Sequence, residues 1–151
     1  MPLTLNYRLL GNGHPFVVLH GLYGMSDNWI PFGQAMSNLF SVYLVDLRNH
    51  GHSPHSDMHT YAEIVADLGL FFDTHNIERA IVLGHSMGGK AAMLFALMHP
   101  ERVSALVIAD IAPIDYSKGY REASISQHRS IIEAMINLPL STIKSRSEAE
   151  I

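Results

Sequence analysis

Four short apolar runs constrain the architecture: Phe16-Val17-Val18-Leu19, Val42-Tyr43-Leu44-Val45, Ala80-Ile81-Val82-Leu83 and Ala105-Leu106-Val107-Ile108. Each is rich in β-branched residues and lacks polar alternation, the pattern of a strand covered on both faces. Segments with helical spacing lie between them. Trp29 to Leu39 follows the capping group Ser26-Asp27-Asn28. Tyr61, Ile64, Val65, Leu68, Phe71 and Phe72 recur at intervals of three and four behind Thr60, and Met87 to Met98 stops before His99-Pro100. Regular alternation of strand and helix predicts a doubly wound, mostly parallel α/β sheet. The opening stretch, Leu3 to Leu10, alternates more loosely and precedes Gly11-Asn12-Gly13. It is expected as an antiparallel hairpin arm leading into the first buried strand.

With 151 residues, 48% of them apolar, the chain can bury one sizeable core. Beyond Asp110 the pattern changes to a loop and then a helical stretch, Arg121 to Leu138, followed by a polar end. The expected division is therefore a sheet core over residues 1–115 and a helical excursion, or cap, over 116–151. The net charge of −4 comes without a basic stripe, which argues against a nucleic-acid partner. The absence of cysteine excludes disulfides, thiolate metal sites and a cysteine nucleophile. The N-terminus lacks the apolar core of a signal peptide and no run is long enough to span a bilayer, so a soluble cytoplasmic chain is expected.

The strongest chemical signal is Gly84-His85-Ser86-Met87-Gly88-Gly89, set directly between a strand and a helix. A sharp strand-to-helix turn crowds backbones around its central residue, and Gly84 and Gly88 remove the side chains that would collide. Such an elbow lifts Ser86 toward a bound carbonyl. The helix opening at Met87 aims unpaired N–H groups at the same place. His20-Gly21-Leu22-Tyr23-Gly24 follows the first buried strand, and its glycines let the loop fold back. The N–H groups of Leu22 and Met87 are thus the expected oxyanion hole. His20 reads as an orienting or structural group rather than a base, and Trp29, Met93 and Met98 as packing residues. Lys90 and Arg102 read as surface charges.

These motifs, with Asp27-Asn28-Trp29 and Asp46-Leu47-Arg48-Asn49-His50-Gly51-His52-Ser53, resemble the N-terminal portion of an α/β-hydrolase over residues from about 14 to 115. Leu106-Val107-Ile108-Ala109-Asp110-Ile111-Ala112-Pro113 with Asp115-Tyr116 is most similar to the YbfF-type esterases and their mitochondrial relatives. The resemblance implies a serine hydrolase of small acyl esters or thioesters, without a cofactor, carrying a helical cap after its sixth strand. It implies Asp110 as the triad acid, with Asp115 as the next candidate, and Tyr23 and Tyr116 as lining for the substrate. In this family the catalytic histidine follows the last strand, which would lie beyond residue 151, so an incomplete chain is expected.

Among the histidines present, His128 satisfies the chain order Ser, acid, His but has no strand to position it. His85 adjoins the serine, where neighbouring side chains diverge. His75 and His99 lie near helix C-termini, where the helix end favours imidazolium. The run from His50 to His59 opens a second reading, a metal-dependent hydrolase using His50 and His52, although Pro54 occupies the position where an H-x-H-x-D-H pattern needs aspartate. A third reading is a catalytically incomplete partner in a complementing or swapped assembly. It draws on the strand Ala105 to Ile108, which would form a sheet edge open to self-association.

Overall fold

The computed structural model describes residues 1–115, 122–139, 142, 143 and 145, with the side chains of residues 122–128 outside the description. Two compact units divide the chain, Met1–Pro113 and Ile114–Ile151.

The first unit is a five-stranded sheet with helices on both faces. Its elements are β1 (Tyr7–Leu10), β2 (His14–Leu19), α1 (Ile30–Met36), β3 (Phe40–Val45), α2 (Tyr61–Thr74), β4 (Ala80–His85), α3 (Met87–Met98) and β5 (Val103–Ala109). The sheet order is β1-β3-β2-β4-β5, parallel throughout except at β1. Alternate residues of each strand feed two cores. Val17, Leu19, Val45 and Val82 pack with Ile64, Val65, Leu68, Phe71 and Phe72 of α2 and with Ala91, Ala92 and Phe95 of α3. Phe16, Val18, Val42, Leu44 and Leu83 pack on the other face against Trp29, Ile30, Phe32 and Met36. Each fully buried Val, Leu, Ile or Phe among them contributes about 1.5–3 kcal/mol. The doubly wound arrangement follows from strands whose central positions are apolar on both faces.

Three details depart from the sequence reading. β1 is antiparallel, but its partner is β3 rather than β2, with Tyr7 opposite Val45 and Leu10 opposite Val42. The β2–α1–β3 crossover lays β3 alongside β2 and fills the place a hairpin arm would take. The Gly11-Asn12-Gly13 turn instead runs against the backbone that enters β3. A Cβ on Gly13 would sit 2.6 Å from the Leu39 carbonyl, and both glycines have positive φ. The first helix also starts differently: a 3-10 turn, Ser26–Trp29, precedes α1, whose N-terminus carries Pro31. For α2 the boundary matches, because the Thr60 hydroxyl accepts the Glu63 N–H at 3.2 Å. The third departure concerns Lys90 and Arg102, expected on the surface. Arg102 pairs with Asp73 at 2.7 Å and lies over the Phe72 ring, while Lys90 reaches the Ala112 carbonyl.

β5 is an edge of the described sheet, and Leu106 and Val107 on it are exposed. In the second unit, α4 spans Glu122–Ile136. No helix among the described residues is long and apolar enough to cross a membrane.

Candidate active site

Ser86 is the single residue between β4 and α3, and its backbone is forced into φ 50°, ψ −113°. A non-glycine residue held there stores about 1–3 kcal/mol of strain. The surrounding glycines make the turn sterically feasible. A Cβ on Gly84 would strike the Gly88 carbonyl, and one on Gly88 would lie 2.5 Å from the carbonyl oxygens of both Leu19 and His20. The Ser86 N–H is tied to the Ala109 carbonyl at 3.1 Å, which locks the elbow to the end of β5. A serine preceding a helix ordinarily caps it by accepting an N–H with its hydroxyl. Ser86 makes no such bond, so its hydroxyl is not used in holding the helix. The residue is half-buried rather than sealed beneath other side chains.

The loop after β2 is built around the Gly21 carbonyl. His20 is buried; its Nδ1–H donates to that carbonyl at 2.8 Å, and its Nε2 accepts the Leu47 N–H at 3.0 Å. Those two bonds fix the neutral tautomer carrying its proton on Nδ1. Burial pushes the His20 pKa below its ordinary value, outweighing the bond to Gly21, and His50 and His85 push the same way. Gly24 N–H donates to the same carbonyl at 3.0 Å. Held in this way, the loop passes over the elbow. A Cβ on Gly21 would lie 3.3 Å from Ser86 Cβ and 2.7 Å from His85 Nδ1. Leu22 and Tyr23 come next, both exposed, with Tyr23 at φ 64°. Both ring nitrogens of His20 are thus engaged in holding backbone, which leaves neither to act as a base.

Asp110 leaves β5 at φ 55° with an exposed carboxylate, whose Oδ2 is 3.9 Å from His85 Nε2. The backbone bond between Ser86 and Ala109 brings the serine and this acid to the same end of the sheet. Among the described residues no imidazole hydrogen-bonds the Ser86 hydroxyl. Tyr116 and the side chain of His128 lie outside the described residues.

The Asp46 loop has an internal explanation. Asp46 is buried and accepts from Ser26 N–H at 2.6 Å, Asn6 Nδ2 at 2.8 Å and His52 N–H at 3.0 Å. Burial pushes its carboxyl upward, but those hydrogen bonds outweigh it and hold the group below its ordinary range. Gly51, at φ 54°, leaves room for the carboxylate that any Cβ would strike. Ser53 Oγ donates to the Asp46 carbonyl at 2.6 Å. His50 Nδ1 faces the Arg48 carbonyl at 2.9 Å, and its ring packs on His20 and His59. No group of three potential ligands gathers among the described residues, so His50 and His52 do not join a third donor there.

Sequence reasoning missed two polar residues. Asp67 is fully buried and grips Arg48 with two bonds, Nε to Oδ2 at 2.6 Å and Nη2 to Oδ1 at 2.8 Å. The clue was an acid in the middle of the apolar face of α2. Lys90 is the other, and its clue was a cation in the first turn of a helix, against the dipole. His75 also corrects an expectation. It does cap α2, but burial against Tyr7 and Phe71 pushes its pKa down rather than favouring imidazolium.

A strained serine between strand and helix, crossed by a glycine loop at the carboxyl ends of parallel strands, defines a class of fold. A family model described as the alpha/beta hydrolase fold matches residues 14–131, and the chain belongs to that family. Among its relatives, Esterase YbfF of Escherichia coli is 35% identical over 99% of this chain and 57% of its own length. The sn-1-specific diacylglycerol lipase ABHD11 of Danio rerio is 33% identical over 99% of this chain and 49% of its own length. A solved structure titled as a marine microorganism esterase superposes with a TM-score of 0.91 at 43% identity, covering 97% of this chain and 56% of that one. The chain therefore spans about half the length of the curated relatives it matches.

Proposed function

We propose that this chain carries the nucleophile, oxyanion donors and acid of a serine hydrolase that cleaves carboxylic esters or acyl thioesters. The observation that carries this reading is Ser86: strained, half-buried and not used in capping the helix it precedes. The family and the names of the esterase and lipase relatives support the substrate class. In the first step the Ser86 oxygen bonds to the substrate carbonyl carbon while an imidazole takes the hydroxyl proton. The Leu22 and Met87 N–H groups stabilise the oxyanion, and the alcohol or thiol leaves with that proton. Water then adds to the acyl-serine, the imidazole shuttles its proton back to Ser86, and the acid departs. Asp110 orients the imidazole, and Tyr23, exposed on the loop after β2, lines the acyl pocket. The chemistry calls for no cofactor, and the protein works in the cytoplasm on a small-molecule substrate.

The test is covalent labelling with a fluorophosphonate, on the wild type and Ser86→Ala, with and without a chelator. Labelling that vanishes in Ser86→Ala and ignores the chelator supports the serine site. Hydrolysis lost to chelation transfers the chemistry to a metal at His50 and His52, and an unlabelled wild type refutes a self-sufficient site.

The exposed apolar edge at β5 favours a second reading, in which this chain acts in a complementing or swapped assembly. Sedimentation then shows self-association; a monodisperse monomer overturns it.

A further inference from the structure

We infer that Lys90 is a positioning residue for Asp110, acting through the carbonyl of Ala112. The inference rests on the serine-hydrolase reading above, in which Asp110 is the triad acid. Lys90 stands in the first turn of α3, one turn beyond Ser86, and its N–H closes that turn on the Ser86 carbonyl at 3.1 Å. A cation so close to a helix N-terminus opposes the helix dipole, so the position is unfavourable for a charge with no other purpose. Its half-buried side chain runs to the Ala112 carbonyl, where Nζ donates at 2.7 Å. That is the short contact expected of a charge-assisted hydrogen bond.

The bond closes a clasp around the acid. On one side of Asp110, the Ala109 carbonyl accepts the Ser86 N–H. On the other, Ile111 rests so near Gly89 that a Cβ there would lie 2.5 Å from its Cγ2, and Ala112 is held by Lys90. Residues 86, 89 and 90 of the elbow and first turn thus bind 109, 111 and 112, the residues flanking the acid. Asp110 itself is exposed and left-handed at φ 55°. The helix bearing the nucleophile thereby fixes where the acid points. Lys90 touches no reacting atom; it sets the geometry of a group that orients the base.

The experiment compares wild type, Lys90→Met and Lys90→Arg in hydrolysis of p-nitrophenyl acetate and in residue-resolved amide exchange. Lys90→Met keeps the aliphatic stem and removes the donor. It is expected to lower kcat about 10- to 100-fold with KM changed less than about twofold, because the acid is misplaced while substrate binding is kept. Lys90→Arg recovers most of kcat. The Ser86 amide, held by Ala109, exchanges about tenfold faster in Lys90→Met, while amides of α2 are unaffected. An unchanged kcat in Lys90→Met overturns the proposal, as does a loss that follows the urea midpoint and that Arg fails to restore. If the wild type hydrolyses no ester, it is the self-sufficiency of the serine site that fails, separately from the clasp. The Ser86 exchange rate then still decides the clasp, because an unchanged rate in Lys90→Met refutes it.

Discussion

Gly88→Ala is the substitution whose effect the structure sets most sharply. Its new methyl would meet the carbonyl oxygens of Leu19 and His20, each at 2.5 Å, and both are backbone atoms that cannot rotate away. Reaching 3.0 Å, the shortest separation real Cβ atoms show, requires a retreat of 3.0 − 2.5 = 0.5 Å by the end of β2 or by α3. Overpacking of this kind costs about 1–3 kcal/mol, less the ~1 kcal/mol by which alanine outdoes glycine inside a helix. Gly69→Ala is the matched control, since its Cβ meets nothing within 4 Å and α2 should gain ~1 kcal/mol. The two variants differ by one methyl each and should move the urea midpoint in opposite directions. Because the His20 carbonyl leads directly into Gly21, Gly88→Ala also shifts the His20–Gly24 loop off the elbow, and in the serine-hydrolase reading that loop carries the Leu22 donor. Misplacing one donor costs up to ~3 kcal/mol of transition-state stabilisation, about a hundredfold in acylation rate. The assays are urea unfolding and the rate of fluorophosphonate labelling. If Gly88→Ala unfolds at the wild-type midpoint, the close approach of elbow and loop is refuted. Wild-type labelling in a destabilised protein would remove Leu22 from the oxyanion hole.

Relieving the strain at Ser86 should be measurable: glycine there gives up about 0.5–1 kcal/mol in chain entropy but recovers about 1–3. Ser86→Gly is thus expected to be ~1 kcal/mol more stable than Ser86→Ala in urea, and equal midpoints would contradict the backbone assignment. Asp67→Ala leaves the Arg48 guanidinium buried without its main partner and should cost about 3–5 kcal/mol; Arg48→Met with Asp67→Leu should cost less than Asp67→Ala alone, and an additive double mutant would count against the pairing. His20, neutral and buried, has its pKa pushed below 6.5, as are those of His59 and His75. The unfolded chain therefore binds more protons as pH falls below that value. Stability should be full above about pH 6.5 and decline as pH drops through the folded pKa values, by at most ~1.4 kcal/mol per pH unit for each proton. Urea midpoints that are flat between about pH 7.5 and 5.5 would refute this, and His20→Asn should reduce the slope.

The parallel strands and the α2 and α3 boundaries could be read from sequence because local signals and tertiary demand agreed there: unbroken β-branched runs, a Thr60 cap, and a proline after His99. The partner of β1 could not. Its choice between β2 and β3 depends on where a crossover lays a strand 30 residues away, and a glycine turn looks the same in either case. Ser86 was legible because its glycine neighbours record a steric need. Asp67 and Lys90 were not, since a charge on a helix reads as solvated until its partner is known, and those partners lie 19 and 22 residues away.

That difference has a chemical meaning for the site. Ser86 is held by contacts within and beside its own turn, so its geometry is set wherever β4, α3 and the end of β2 are packed. The residues flanking Asp110 are held by three longer ties, from Ser86 N–H to Ala109, from Gly89 to Ile111 and from Lys90 to Ala112, and each originates on the elbow or helix of Ser86. Strain and clasp are therefore coupled. Any movement that relaxed Ser86 toward an ordinary helix cap would turn the first residues of α3 and draw on the bonds that place the acid. In the serine-hydrolase reading, nucleophile and acid would then move as one mechanical unit, presented together to an incoming imidazole.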